Sequence, residues 1–298
     1  MKVGLIDVDS HNFPNLALMK ISAWHKSCGD DVEFANYLTH YNKIYMSKVF
    51  DDVYSEDAEE PILVDEIIKG GTGYGLDNKL PDEVEHMMPD YSLYGITDTA
   101  FGFLSRGCPR GCPFCIVAEK EGRKSHKVAD LSEFWNGQKN IVLMDPNILG
   151  CKDHMELFGQ LADSKAWVDI NQGIDARLLN EENIEALKKI KTKKIHFAWD
   201  LMNQSEKVLR GLKLFSSMVD NMNSRKYTVY VLTNFNTTHE EDFYRVQVLS
   251  ELGFEPYIMI YNKPTAPKIT KHLARWCNNK FIYHACSFNE YLNGRNFL

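Results

Sequence analysis

Six short apolar runs alternate with helical patterns over the last two thirds of the chain, and this repeat limits the fold more than any other feature. The runs lie at 101–106, 140–145, 166–171, 194–200, 227–234 and 255–262. The segments between them carry apolar residues at amphipathic-helix spacing. Strands that alternate with helices form a parallel sheet covered by helices. We therefore predict an α/β fold in which six strand–helix units form a partial (β/α)6 barrel.

A smaller α/β layer precedes this repeat. Residues 3–8 form an apolar run, residues 15–29 have near-helical apolar spacing before a glycine, and strand candidates follow at 31–36 and 43–50. Residues 76–95 carry two prolines and many acids, which is typical of a connector. We predict three parts, a small Rossmann-like α/β domain with its connector (1–95), the barrel (96–265), and a C-terminal helix and tail that packs on the barrel (266–298).

Composition places the chain among ordinary globular proteins and disfavours two classes of partner. Of its 298 residues, 44% are hydrophobic and 25% are charged. The sequence has no apolar run of membrane-spanning length and no N-terminal secretion signal, so we expect a cytoplasmic protein that does not contact membranes. A formal net charge of −7 disfavours extended binding to nucleic-acid phosphates.

Three of the seven cysteines lie within one short segment, CPRGCPFC, as Cys108, Cys112 and Cys115. In a reducing compartment, clustered cysteines more often bind metal or act in catalysis than form disulfides. A closed zinc site takes four ligands, and no fourth Cys or His lies close by in the sequence. Three thiolates on an iron–sulfur cluster would leave one iron open, and Gly107 and Gly111 suit a tight loop. The segment therefore favours an iron–sulfur cluster, with zinc as the alternative.

Polar side chains follow most of the predicted strands. They are Asp145, Asn147, Asn171, Asp175, Arg177, Asp200, Asn234, Asn236 and Asn262. The carboxyl ends of parallel strands form one edge of a sheet or barrel, and active sites lie there. We therefore expect these side chains and the cysteine segment to share one active face, although some of them will only cap helices.

The segment CPRGCPFC after a first barrel strand resembles the signature of the radical S-adenosylmethionine superfamily, over roughly residues 96–262. The resemblance implies a [4Fe-4S] cluster on Cys108, Cys112 and Cys115, with S-adenosylmethionine on the fourth iron. One electron then cleaves the sulfonium into methionine and a 5′-deoxyadenosyl radical, which abstracts hydrogen from a substrate. It also implies a reductant such as flavodoxin or ferredoxin. The substrate, a small molecule or a peptide, is not identified by the sequence.

The resemblance also implies cofactor contacts residue by residue. Phe114 matches the aromatic residue near the adenine, and Asp145 stands where the superfamily often binds the methionine amino group. Asp175 and Arg177 correspond to the region that contacts the ribose and the carboxylate, and a guanidinium can donate two parallel hydrogen bonds to a carboxylate. A local ion pair is the alternative for these two. Asp200 could face substrate or cofactor, or cap a helix.

The remaining cysteines give weaker signals. Cys151 is predicted to open the helix after the second strand, where a helix N-terminus would lower the pKa of its thiol. It could return a hydrogen atom to a substrate radical, as in some radical epimerases, or be a small packed residue. Cys277 and Cys286 could belong to a second cluster, but a tail with only these two cysteines and His284 matches such extensions poorly.

The N-terminal segment DVDSHNFPNLAL, followed by Ser47 and by a glycine pair at 70–71, resembles the order of elements in cobalamin-binding domains. In those domains His11 would be the lower axial ligand of cobalt. Pro14 departs from the pattern where a glycine is expected, which disfavours cobalamin and favours a turn or cap role for His11. A cobalamin-dependent radical methyltransferase is the alternative activity. A non-catalytic iron–sulfur electron carrier or sensor is the alternative of another class.

Overall fold

The computed structural model describes residues 1–10, 13–222 and 225–294 and confirms a mixed α/β protein with parallel sheets. The chain divides into two compact units, Met1–Val142 and Leu143–Leu298. The functional boundaries predicted at residues 95 and 265 stay predictions. Among the described residues, no helix has both the length and the apolar character needed to cross a membrane.

The first unit begins with a four-stranded parallel sheet and one connecting helix. These elements are β1 (Lys2–Asp7), α1 (Leu16–Ser27), β2 (Asp31–Phe34), β3 (Tyr41–Ser47) and β4 (Val64–Gly70). The strands lie in the order β2-β1-β3-β4. Helix α1 begins after Asn15, whose side chain accepts a hydrogen bond from Leu18 N at 3.2 Å, and it ends at Ser27, with Cys28 as the C-cap residue. The strand candidates and the first helix are thus present as predicted.

The rest of the first unit contains short elements. They are α2 (Asp82–Glu85), β5 (Thr99–Gly102), β6 (Ser105–Arg106), α3 (Val117–Lys120), β7 (His126–Lys127) and β8 (Asn140–Leu143), with β5 and β8 as neighbours in one sheet. The single strand predicted at 101–106 is wrong in extent. The chain leaves the sheet after Gly102, and Ser105 and Arg106 pair instead with Lys127 and His126 in an antiparallel ladder.

The second unit is a regular alternation of helices and strands. It contains α4 (His154–Ser164), β9 (Trp167–Ile174), α5 (Glu181–Lys189), β10 (Thr192–Ala198), α6 (Ser205–Met218), β11 (Tyr227–Thr233), α7 (His239–Glu251), β12 (Glu255–Ile260), α8 (Lys268–Asn278), α9 (Lys280–Ala285) and α10 (Phe288–Gly294). Strands β9 to β12 are parallel and adjacent in chain order. Side-chain capping at Asn180 and Thr238 begins α5 and α7.

Successive side chains of β9 to β12 point to opposite faces of the sheet, so each face carries its own set of residues. One face carries the apolar core, with Val168, Ile170, Ile195, Phe197, Val229, Val231 and Ile258 buried. Helix α6 packs on this face, because the Phe215 ring lies 5.0 Å from the Phe197 ring and 5.1 Å from the Tyr227 ring. The opposite face carries the polar and aromatic positions of the same strands.

Strand β9 contains an irregularity that moves its end. Ile195 and Phe197 of β10 pair with Ile170 and Ile174, so two steps on β10 span four on β9. Gly173 inside this bulge has φ +103°, a conformation that favours glycine. As a result β9 continues to Ile174, and Asn171 lies within the strand instead of after it.

Candidate functional site

The three clustered cysteines lie on a loop of the first unit whose base is closed by β6 and β7. Arg106 Nη1 donates to Glu121 Oε1 at 2.8 Å, and the backbone N of Gly107 donates to Glu121 Oε2 at 3.1 Å. Cys108 N donates to the carbonyl oxygen of Gly122 at 3.1 Å. One carboxylate and one backbone bond therefore join the two ends of the loop just before the first cysteine.

Two glycines allow the loop to turn. Gly107 has φ +83°, and a Cβ atom there would overlap the carbonyl oxygen of Lys124. Gly111 has φ +56°, and a Cβ atom would lie 2.9 Å from Arg123 Nη1, the mobile end of a long side chain. The backbone position therefore requires glycine at Gly107 and favours it at Gly111.

The cysteines themselves are accessible to solvent to different extents. Cys108 and Cys112 are half-buried and Cys115 is exposed, and Cys115 N donates to Cys112 O at 3.0 Å in a turn that includes Phe114. Within residues 1–10, 13–222 and 225–294, no group of three or more His, Cys, Asp or Glu side chains is arranged to hold a metal ion. Cysteine thiolates are the ligands of iron–sulfur clusters, so the donor set on this loop fits such a cluster.

Asp175 and Arg177 form a bidentate ion pair in the second unit. Arg177 Nε donates to Asp175 Oδ1 at 2.6 Å, and Nη2 donates to Oδ2 at 3.0 Å. Arg177 Nη1 donates to Gln204, and Asn147 Nδ2 donates to Asp175 Oδ2 at 3.3 Å. The local ion pair expected as the alternative is thus present. It also holds the guanidinium in one orientation, at the end of β9.

Asp145 and Cys151 are both buried in the segment that leads into α4. The helix predicted to open at Cys151 begins three residues later, at His154. Burial raises the pKa of the Cys151 thiol, and the nearby carboxylates of Asp153 and Asp145 add to this effect. The expectation that a helix N-terminus lowers this pKa is therefore wrong, because Cys151 precedes the helix and lies in a buried acidic environment.

Asp200 follows β10, and its environment changes its protonation. Burial raises the pKa of this carboxyl to about 6, against the opposing charges of Arg245 and Arg177, while Asp175 contributes in the same direction as burial. Asp200, Asp175 and Arg177 are therefore close enough to interact electrostatically. The structure brings these three predicted site residues together in the second unit.

Arg245 is a structural residue of this region that the sequence analysis missed. Its Nη1 donates to the carbonyl oxygens of Trp199 at 2.7 Å and Asp200 at 3.1 Å. Its Nη2 donates to Leu232 O at 2.7 Å and to Asp242 Oδ1 at 2.6 Å. The available signal was an arginine three residues after an aspartate on the same helix, at a position flanked by the apolar residues of α7.

Several predicted strand-end residues have local structural roles. Asn147 accepts a hydrogen bond from Gly150 N at 3.1 Å and caps a short turn. Asn234, Asn236 and Asn262 have φ of +61°, +52° and +45°, a left-handed conformation that asparagine tolerates better than most residues. These asparagines therefore suit tight turns after their strands.

The remaining predicted residues are the two C-terminal cysteines, His284 and His11. Cys277 is buried against β12, where its Sγ lies 3.4 Å from Pro256 O, and burial raises its pKa to about 12. Cys286 is half-buried, and its Sγ donates to Ile282 O at 3.6 Å. His284 Nε2 lies 3.4 Å from Glu255 Oε1. His11, the candidate cobalt ligand, lies outside the described residues.

Comparison with known proteins adds no family assignment. No protein-family model matches the sequence, and no curated protein matches it. A functional hypothesis for this chain therefore depends on the cysteine segment and on the geometry within each unit.

Proposed function

We propose that this chain is a cytoplasmic radical S-adenosylmethionine enzyme with a partial (β/α)6 barrel over residues 96–265. The observation that carries the proposal is the segment CPRGCPFC on a loop that glycines turn and that β6 and β7 close. Strand–helix alternation follows this loop along the chain. Residues 1–95 would form an accessory α/β domain, and residues 266–298 a helical tail.

Cys108, Cys112 and Cys115 would hold a [4Fe-4S] cluster. Together with S-adenosylmethionine, that cluster supplies reductive cleavage of the sulfonium and a 5′-deoxyadenosyl radical that abstracts hydrogen. A flavodoxin or ferredoxin would deliver the electron. A set of three cysteines leaves one iron for an external ligand, whereas an electron carrier usually closes its cluster with four. This difference favours an enzyme over a carrier or sensor.

The polar residues of the second unit would bind and orient the S-adenosylmethionine. Arg177 is held by Asp175 and Gln204, so its guanidinium is oriented before a ligand carboxylate arrives. Asp145, buried after β8, would accept hydrogen bonds from an amino group. Asp200 has a pKa of about 6, so it can exchange a proton near neutral pH.

Phe114 and Cys151 would have separate roles. Phe114 lies in the turn between Cys112 and Cys115 and would contact the adenine. A thiol that donates a hydrogen atom must keep its S–H bond, and the raised pKa of Cys151 keeps that bond intact at neutral pH. Cys151→Ser should therefore leave S-adenosylmethionine cleavage unchanged and alter the final product, and identical products would leave Cys151 as a packing residue.

The proposal is tested by anaerobic reconstitution with iron and sulfide. We expect about four irons per chain, and slow formation of 5′-deoxyadenosine and methionine after addition of dithionite and S-adenosylmethionine. Cys112→Ala should lose both the iron and the cleavage. Cys28→Ala, which removes an exposed thiol outside the segment, should keep both.

Other outcomes of this experiment would replace the proposal. Binding of zinc in preference to iron would make the loop a zinc site. An iron–sulfur cluster with four protein ligands and no cleavage of S-adenosylmethionine would favour an electron carrier or sensor. Methyl transfer that requires added cobalamin would favour the methyltransferase alternative.

A further inference from the structure

A row of polar and aromatic side chains crosses the face of the second unit's sheet that lies opposite its apolar core. It consists of Asp169 on β9, His196 on β10, Tyr230 on β11 and Tyr257 on β12, and we call it the tyrosine row. The His196 and Tyr230 rings are stacked, with centroids 5.0 Å apart and planes at 3°. Tyr230 and Tyr257 are paired in register and meet edge to face at 5.9 Å. The row is therefore continuous across four strands.

Solvent reaches this face at the β12 end. Tyr257 is 37% exposed, Met259 is 46% exposed and Tyr261, just after the strand, is 42% exposed. These three residues alternate with Pro256 and Ile258, which are buried. The exposed positions therefore form an accessible aromatic surface that leads to the buried His196.

The bulge in β9 orients the inner half of the row. His196 Nδ1 donates to Ile170 O at 2.9 Å, and the Tyr230 hydroxyl donates to Asn171 O at 3.3 Å. Because a carbonyl oxygen only accepts, Nδ1 carries the proton in the neutral imidazole and Nε2 carries a lone pair. His196 Nε2 has no hydrogen-bond partner within the described part of the chain. In the neutral imidazole this nitrogen is an acceptor.

Asp169 adds a second acceptor beside His196. Its Oδ1 atom is buried and makes no hydrogen bond to any described residue, and His196 Nδ1, at 3.7 Å, is too distant for one. Burial raises the pKa of this carboxyl. Buried polar atoms normally have partners, so this oxygen is an acceptor for a donor from outside the fold, either a ligand or a water.

We propose that the tyrosine row binds a planar substrate group that donates hydrogen bonds through N–H. The amino edge of a heteroaromatic ring and an amidinium or guanidinium share this chemistry. The N–H groups of the ligand would reach Asp169 and His196 Nε2, and Tyr257, two strands away from His196, would line the solvent side of the row. That this ligand is the substrate rests on the proposed function, whereas its binding depends only on residues of the second unit.

The charges around the tyrosine row favour a neutral amino-substituted ring over a cationic amidinium or guanidinium. Lys193 and Lys194 are both exposed, and both act on Asp169 electrostatically. Their positive charges oppose the approach of a cation and leave a neutral amino-substituted ring unaffected. Cytidine is therefore the primary probe, and benzamidine represents the cationic source. Uridine is the matched control, because it places a carbonyl oxygen where cytidine has its amino group.

The test is calorimetric titration of iron-free, S-adenosylmethionine-free protein with the three probes. We expect cytidine or benzamidine to bind, and uridine to bind at least about tenfold more weakly than cytidine because its carbonyl faces a carboxylate. Tight cytidine binding identifies a heteroaromatic edge, and preferential benzamidine binding identifies a cation. Asp169→Asn should weaken binding of the preferred probe by about tenfold or more.

His196→Phe is a second variant, which keeps a ring beside Tyr230 but removes the Nε2 acceptor, and it should weaken binding by about threefold to tenfold. Tyr244→Ala removes an exposed tyrosine of α7 and should leave binding unchanged. The proposal is overturned if neither cytidine nor benzamidine binds, or if both row variants bind the preferred probe as the wild type does. Because no cluster is present in this assay, its failure is separate from failure of S-adenosylmethionine cleavage.

Discussion

Arg245 and Asp242 form an ion pair inside the second unit, with 2.6 Å between Nη2 and Oδ1 and with 0% and 2% of their side chains exposed. The same guanidinium donates to carbonyl oxygens at the ends of β10 and β11. Helix α7 is thereby attached to two strand ends, one of which continues into Asp200. The position of Asp200 therefore depends on a residue 45 positions later in the chain.

Arg245→Met should be strongly destabilising. It leaves the Asp242 carboxylate and several carbonyl oxygens buried without their donor, and breaking one half of a buried pair costs about 3–5 kcal/mol. Urea unfolding of the purified protein measures this loss. Arg210→Met, at an exposed position of α6, is the control and should change the free energy of unfolding by less than about 0.5 kcal/mol. Equal effects of the two substitutions would contradict the structural role of Arg245.

The pH dependence of stability should include a contribution from Asp200. Its pKa is about 6 in the folded protein and about 3.9 in an unfolded chain, so the folded state binds the proton more tightly. Stability from this group is therefore greatest below about pH 4 and is lost as the pH rises to about 6, by roughly 2–3 kcal/mol. Asp200→Asn should remove this loss. Urea unfolding of the wild type and of Asp200→Asn between pH 4 and 7 measures this difference. If the free energy of unfolding changes with pH in the same way for both proteins, the raised pKa of Asp200 is refuted.

Gly107→Ala should damage the cysteine loop. A Cβ atom would overlap the Lys124 carbonyl oxygen at a φ of +83°, so the base of the loop must open. Gly29→Ala is a matched control, because Gly29 has the same φ and no atom of a described residue lies within 4 Å of the added carbon. Both variants should lose about 1–2 kcal/mol from the left-handed backbone conformation. Only Gly107→Ala should lose iron after reconstitution, and retention of iron there would show that the loop base is not required.

Two helical glycines should respond in opposite directions to alanine. In α6, a Cβ atom on Gly211 would overlap the carbonyl oxygen of Ala176, so Gly211→Ala should be destabilising by about 1–3 kcal/mol. In α4, no atom from the described part of the chain lies within 4 Å of a carbon added to Gly159, so Gly159→Ala should stabilise the protein by about 0.5–1 kcal/mol. Thermal unfolding distinguishes the two, and a stabilising Gly211→Ala would show that α6 does not contact the turn at Ala176.

Alkylation of the native protein should distinguish its exposed cysteines from its buried ones. Burial raises the pKa of Cys277 to about 12, so at pH 8 it carries about a thousand times less thiolate than an ordinary cysteine. Cys151 is also buried, whereas Cys28 is exposed. Mass spectrometry after brief iodoacetamide treatment should find Cys28 modified and Cys151 and Cys277 protected. Rapid modification of Cys277 would place it outside the core.

Periodicity predicted the strands well because each strand of the second unit buries one face. Val168 and Ile170, or Val229 and Val231, alternate in sequence as they do in the fold. Strand ends were harder to predict. The bulge at Gly173 depends on pairing with β10, and the separation of β5 from β6 depends on pairing with β7, so neither is visible in a local window.

In the candidate site too, contacts between sequence neighbours were predictable, whereas contacts between distant segments were not. The pairing of Asp175 with Arg177 was predictable because the two are neighbours in sequence. The contribution of Gln204 and the buried position of Arg245 were not, because both depend on contacts between distant segments. Cys151 was misjudged because the start of α4 was placed three residues early.

The close approach of α6 to the turn at Ala176 has a mechanical consequence. Gln204, just before α6, accepts a hydrogen bond from Arg177, and Gly211, in the middle of α6, touches the residue that precedes Arg177. The start of α6 is thus linked to the Arg177 guanidinium, and the middle of α6 is packed against the backbone of the turn that carries Arg177. A ligand that displaces the Arg177 guanidinium would therefore have to break its hydrogen bond to Gln204 or shift the start of α6.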